Sequence, residues 1–195
     1  MNDKLVEFIK TTNGTFRTQD ATDKGITKPT LCIAVKNGLL ERTLHGIYLV
    51  PEAFEDDMYI TQLRKTKIVY SHATALYLHG LTTRDPLVYD VTVPAGYNTK
   101  TLKMSGYSVH SQKKSLYEIG ITSIQSMYGN FLKLYDVERT LCDMVRDKKN
   151  QDRFVLIEGF KEYAHSDQKN LSKLTAYSHT FKVAETVRNY MEVLL

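Results

Sequence analysis

Apolar positions recur at helical spacing from the start of the chain. Leu5, Phe8 and Ile9, with Thr12, predict an amphipathic helix over 3–12 that Asn13-Gly14 terminates. Phe16-Arg17 then reads as extended, and Thr18 is positioned to cap a second short helix, 19–24, closed by Gly25. Thr27 is placed to cap a third helix over about 28–37, with Pro29 in its first turn and Gly38 just past its end. At about 100° per residue, Leu31, Ala34 and Val35 share one side of that helix. Pro29, Cys32, Ile33 and Lys36 share the other, with Thr30 and Asn37 on a flank. One face is built to pack, and the other is free to read something. Two apolar runs around Thr43-Leu44-His45-Gly46 predict a β-hairpin whose Gly46 tolerates the positive φ of a tight turn.

Helix, short strand, helix, glycine turn, helix and hairpin within some fifty residues is the order of a winged helix-turn-helix. Beyond it, Asp56-Asp57 lead a fourth helix over 58–66, and the domain boundary is placed there, giving 1–55 and 56–195. Residues 67–70 read as a buried strand, and Ser71 as the cap of a helix over 72–79 ended by Gly80. Residues 87–93, 107–111, 122–127 and 131–135 are strand candidates punctuated by glycines. Asp136 then caps a helix over 137–146, and helical patterns follow over 152–163 and from 170 to the end. The expected fold is α+β, a winged helix-turn-helix domain followed by a domain with a largely antiparallel sheet and helices.

Composition narrows the function classes. The chain of 195 residues carries 26 Lys and Arg against 22 Asp and Glu, a net charge of +4. That permits nucleic-acid binding without demanding it, and the excess is +2 in residues 1–50 and +2 in the remainder. Any basic surface must therefore be a local patch. No apolar run reaches the length of a membrane span, and the first fourteen residues are too charged for a secretory signal, so a cytoplasmic protein is expected. Cys32 and Cys142 stand alone, which removes zinc-ribbon and Cys-x-x-Cys readings and leaves reduced thiols.

The candidate recognition-helix residues are Thr27, Lys28, Thr30, Ile33 and Lys36. The lysines suit phosphates, the threonines suit phosphate or base edges, and Ile33 suits a thymine methyl. In the hairpin, Arg42, Thr43 and His45 are candidates for the backbone or minor groove, and Arg17 and Lys24 for further phosphates. Cys32 stands between groove contact and partial burial. His72 and His79 share a helix face at i, i+7, too far apart for one metal, and read as capping or packing groups. Asp136 reads as a cap, Glu138 as a first-turn acid, and Asp143 and Asp147 as solvated. A restriction-like nuclease needs a metal-binding acid followed by Glu-x-Lys, and no Glu-x-Lys occurs here. Nor is there a glycine-rich phosphate loop, a Gly-x-Ser-x-Gly elbow or an oriented Cys/His pair. No enzyme activity, cofactor or metal is expected.

Several of these segments together resemble the AbiEi family of antitoxins from type IV toxin-antitoxin systems of abortive phage infection. They are Phe16-Arg17-Thr18, Gly25-Ile26-Thr27, Gly38-Leu39-Leu40-Glu41-Arg42 and Gly46-Ile47-Tyr48 with Pro51, then Tyr70-Ser71-His72-Ala73-Thr74-Ala75-Leu76, His79-Gly80-Leu81-Thr82 and Val91-Thr92-Val93-Pro94. The resemblance implies an N-terminal winged helix-turn-helix that binds inverted repeats in its own promoter. It also implies a C-terminal domain that counters a co-encoded nucleotidyltransferase-like toxin, with no stable complex required. Family members often carry basic residues where this chain has Cys32 and Ile33, and an arginine where it has His45. The alternative from another class is a protein-interaction module that neutralises a partner toxin by direct binding, without sequence-specific DNA binding.

Overall fold

A computed structural model describes residues 3–194; Met1, Asn2 and Leu195, at the ends of the two expected domains, lie outside the described residues. The chain divides into two compact units, one running to Thr66 and including 125–132, the other made of 67–124 and 133–195. The division therefore falls after Thr66 instead of near residue 55, and one excursion of the chain returns to the first unit.

The first unit begins with α1 (Asp3–Lys10), β1 (Thr15–Arg17), α2 (Thr18–Asp23) and α3 (Lys28–Lys36). β2 (Glu41–Leu44), β3 (Ile47–Leu49) and α4 (Asp57–Arg64) complete it. Its antiparallel sheet has the order β1-β3-β2, with Phe16 opposite Tyr48 and Leu44 opposite Ile47. Alternation puts Phe16 and Tyr48 over the helices, where they join Leu5, Phe8, Ala21, Ile26, Leu31, Ala34 and Leu40 in one core. Phe16 meets Phe8 edge-on at 5.0 Å and stacks on Tyr48 at 5.7 Å. Burying each large apolar side chain contributes roughly 1.5–3 kcal/mol. α2 starts one residue earlier than the sequence predicts. Arg17 is its N-cap, its backbone N–H donates to Asp20 Oδ2 at 2.8 Å, and Thr18 is inside the helix. Asp56 caps α4 by accepting from Tyr59 N at 3.0 Å and is itself buried. Its second oxygen accepts from Ser126 Oγ at 2.6 Å and Asn130 Nδ2 at 3.0 Å, which ties 125–132 to this unit.

The second unit contains β4 (Val69–Tyr70), α5 (His72–Leu78), β5 (Asp90–Pro94), α6 (Lys100–Met104) and β6 (Ser108–Gln112). α7 (Lys114–Tyr117), β7 (Ile121–Gln125), β8 (Phe131–Tyr135) and α8 (Val137–Arg146) follow, with residues 125 and 131–132 of β7 and β8 falling in the first unit. The chain ends with α9 (Arg153–His165), α10 (Leu171–Thr180) and α11 (Ala184–Leu194). The sheet order is β6-β5-β4-β8-β7. β4 and β5 are antiparallel, but β5–β6 and β4–β8 are parallel, so the sheet is mixed where a largely antiparallel one was expected. For β5–β6, α6, a five-residue helix between the two strands, lies in the crossover a parallel pair requires.

α5, α8, α9, α10 and α11 share a core that includes Leu76, Leu141, Met144, Phe160 and Met191. Gly159 of α9 lets α5 approach, since a Cβ there would lie 2.9 Å from Leu76 Cδ1. Within this helical layer Arg139 Nε donates to Asp143 Oδ2 at 2.8 Å, both side chains fully buried. The guanidinium lies between the rings of Tyr135 and Phe181, 4.2 and 3.9 Å from their centroids, and donates to the carbonyls of Leu116 and Ile119. Asp143 is thus a buried ion-pair partner and not the solvated acid the sequence implied. Glu138 is also buried and accepts from Tyr163 Oη and Asn170 N.

Candidate nucleic-acid interface

Local chemistry places α3. Thr27 accepts from Thr30 N, and the two hydroxyls bond to each other at 2.9 Å, so both threonines are engaged in capping. Leu31 and Ala34 are buried, whereas Lys28, Pro29, Cys32, Ile33 and Lys36 are exposed, Ile33 at 58%. Gly38, at φ +71°, closes the helix. β2 and β3 are joined through His45-Gly46, with Gly46 at φ +77°. The N–H of Thr18 donates to Gly46 O at 2.8 Å, pinning the hairpin turn to the start of α2.

A groove of about 470 Å³ runs between α3 and this hairpin. It is lined by Arg17, Lys28, Arg42, His45 and Arg64, together with Cys32 and Gln19, and none of its described lining residues is acidic. Arg42 Nη2 lies 2.7 Å from His45 Nδ1, which holds the two hairpin side chains together. Arg17 is shared, since its Nη2 donates to Asp20 Oδ1 at 2.7 Å and that bond raises its already high pKa. Cations on the start of α3, the hairpin, the start of α2 and the end of α4 therefore converge on one surface.

The remaining expected contacts do not line this groove. Thr30 and Ile33 line a separate groove of about 810 Å³ with Leu5, Val6, Ile9, Leu39 and Pro51. Lys36 and Lys24 are exposed, Lys36 at the last position of α3 and Lys24 at the C-cap of α2. Thr43 is half-buried with its hydroxyl enclosed and without a hydrogen-bond partner among the described residues, so it is not the outward-facing donor that was expected. Arg64 and Gln19 are the groove residues that sequence reasoning missed. Nothing local marks Arg64, because α4 lies beyond the hairpin in sequence.

In the second unit the tertiary fold regroups the histidines. His79 Nε2 bonds to Tyr135 O at 2.8 Å, as a packing role requires. Ser71 is the N-cap of α5, but its hydroxyl contacts His72 Nδ1 at 3.0 Å and accepts from Thr92 Oγ1 at 2.9 Å instead of capping the backbone. His72 is fully buried and stacks on His110 with ring centroids 3.7 Å apart. Burial, with His110 adding to it, pushes the His72 pKa down to about 3 and keeps the imidazole neutral. His110 Nε2 lies 2.8 Å from Asp90 Oδ1, and its Nδ1 lies 3.6 Å from Asp147 Oδ2. His72 thus meets His110 and Asp147 and not His79, and Asp147 is drawn into this group instead of standing free in solvent.

No protein-family model matches this chain, and no curated protein sequence matches it. Among solved structures it is similar to the crystal structure of the RV2827C protein from Mycobacterium tuberculosis. The TM-score is 0.53 at 12% identity, over 97% of this chain and 80% of that one. At that identity the likeness is one of fold, and it agrees with an α+β chain. Among the described residues no helix is long and apolar enough to cross a membrane.

Proposed function

We propose that this chain is a non-enzymatic, DNA-binding regulator of the AbiEi antitoxin type, whose N-terminal unit is a winged helix-turn-helix. The observation that carries the proposal is the groove between α3 and the hairpin, with four Lys and Arg side chains, His45 and no acidic residue among its described lining residues. Clustered Lys and Arg on one face are the electrostatic footprint of phosphate binding, and a net charge of +4 alone is not. The element order and the β1-β3-β2 sheet support the same reading. α3 is the recognition helix, with Lys28 on a phosphate from within the groove, while Ile33 and Lys36 lie outside it. Arg42 and His45 extend from the hairpin to the adjacent backbone, and Arg64 adds a contact from α4. Repression of its own operon and antagonism of a nucleotidyltransferase-like toxin rest on the family resemblance.

The test is binding of the full-length protein to the DNA immediately upstream of its gene, by fluorescence anisotropy across a salt series. Lys28→Ala with Arg42→Ala is expected to reduce the slope of log K against log salt by about 0.9 for each phosphate left without its cation. Affinity should fall roughly tenfold per phosphate near 0.1 M salt. Unchanged affinity and slope in the double variant would remove the interface. The apolar groove beside α1 favours the second reading, in which this unit docks a protein. Co-purification with the toxin and no shift of upstream DNA would select it.

A further inference from the structure

We propose that His72, His110 and Asp147 form a binding site for one divalent transition-metal ion of the zinc class. Each residue offers one donor atom, and the three donors lie within 4.8 Å of one another. Two imidazole nitrogens and one carboxylate oxygen make a donor set that suits zinc, cobalt or nickel, and three protein ligands leave a further position for water. With bonds of about 2.0–2.2 Å, ligand atoms around one tetrahedral ion stand roughly 3.3–3.6 Å apart. His110 Nδ1 and Asp147 Oδ2, at 3.6 Å, already satisfy that spacing. Closing the set requires the His110 ring to turn out of its stack on His72, whose plane is inclined to it by 20°.

The surroundings of the two imidazoles point to a ligand independently of the donor spacing. Metal-bound histidines characteristically give their other ring N–H to a carboxylate or another oxygen, which orients the ring and raises its basicity. Here Asp90 Oδ1 stands 2.8 Å from His110 Nε2, leaving Nδ1 for the ion. Ser71 Oγ stands 3.0 Å from His72 Nδ1 and is itself positioned by Thr92, leaving Nε2 for the ion. Asp147 is divided in the same way, with Oδ1 accepting from Asn150 Nδ2 at 2.6 Å and Oδ2 turned to His110. His72 also sits at φ +49°, a left-handed conformation that a buried β-substituted residue adopts at a cost of about 1–3 kcal/mol.

The site has a closed base and an open mouth. His72 is at the bottom, while the side chains of His110 and Asp147 retain 18% and 25% of their exposure and form the route of access. Bound there, an ion joins the first residue of α5, the middle of β6 and the C-cap of α8, positions separated by 38 and 37 residues in sequence. Metal binding is then linked to the stability of this unit.

The experiment is titration of metal-stripped full-length protein with ZnCl₂ by calorimetry and with CoCl₂ by visible absorption. One ion per chain is expected, with Co²⁺ bands of a four-coordinate site and a higher Tm in Zn²⁺. His110→Ala and Asp147→Asn should each weaken binding at least tenfold, and Asp90→Asn by about 10–100-fold through the His110 ring. His179→Ala, an exposed histidine outside the cluster, should leave binding unchanged. Asp147→Asn keeps a helix cap of the same shape, so it reads the site even if a histidine variant fails to fold. No binding by the wild type, or binding that His110→Ala and Asp147→Asn leave intact, overturns the proposal.

Discussion

Gly14 holds φ at +86°, and a Cβ built on it would lie 2.1 Å from the Cβ of Ala53. Read along the chain, Asn13-Gly14 is a helix terminator. In the folded unit it is also the point where the backbone passes Ala53, and Val50 N donates to Gly14 O at 2.8 Å. Gly38 has a similar φ of +71° but open space around the missing Cβ. Gly38→Ala is expected to cost about 1–2 kcal/mol, the conformational term alone. Gly14→Ala adds overpacking, about 1–3 kcal/mol more. Urea midpoints of the two variants check this, and equal values would show that Ala53 yields freely. Asp143 makes the complementary point: a carboxylate at a helical position looks solvated until its i−4 partner Arg139 is found buried with it between two rings.

At the level of elements, the caps were readable because they act within one turn. Thr27 on α3 and Asp136 on α8 accept from the backbone N–H groups three residues on. Asp56 does the same for α4, and carries a second duty that no local pattern contains. Asp56→Ala is expected to lose the cap, about 1 kcal/mol, and to strand Ser126 and Asn130, about 1–3 kcal/mol more. Thr27→Ala, whose hydroxyl is exposed, should cost only about 1 kcal/mol. Thermal denaturation of both variants separates the two, and equal shifts would mean that Ser126 and Asn130 find other partners. Strand direction was the least legible property of the elements. Alternation of side chains is the same in parallel and antiparallel pairs, and α6 is too short to show a helical period.

For the whole molecule, the charge excess is only +2 in residues 1–50 and +2 in the remainder, yet the groove gathers Arg17, Lys28, Arg42, His45 and Arg64 from four separate elements. The composition of the first unit was equally hidden, because residues 125–132 enter it from far along the sequence. A fragment ending at Thr66 lacks Ser126 and Asn130 for Asp56, and the Gly129 carbonyl for Asn13 Nδ2. It is expected to melt below a fragment that carries 125–132 on a flexible linker. Identical melting curves would show that the returning segment adds nothing to this unit.

The order of helices and strands in the first fifty residues, their glycine ends and the exposed face of α3 were set by the sequence itself, because periodicity, caps and turns act over one to four residues. Tertiary packing alone decided the sharing of the sheet between parallel and antiparallel pairs, the buried Arg139–Asp143 pair, the convergence of cations beside the hairpin and the meeting of His72 with His110 and Asp147. Most of those contacts join groups tens of residues apart. Their energy depends on which faces the packed elements turn toward each other, and no local pattern carries that information.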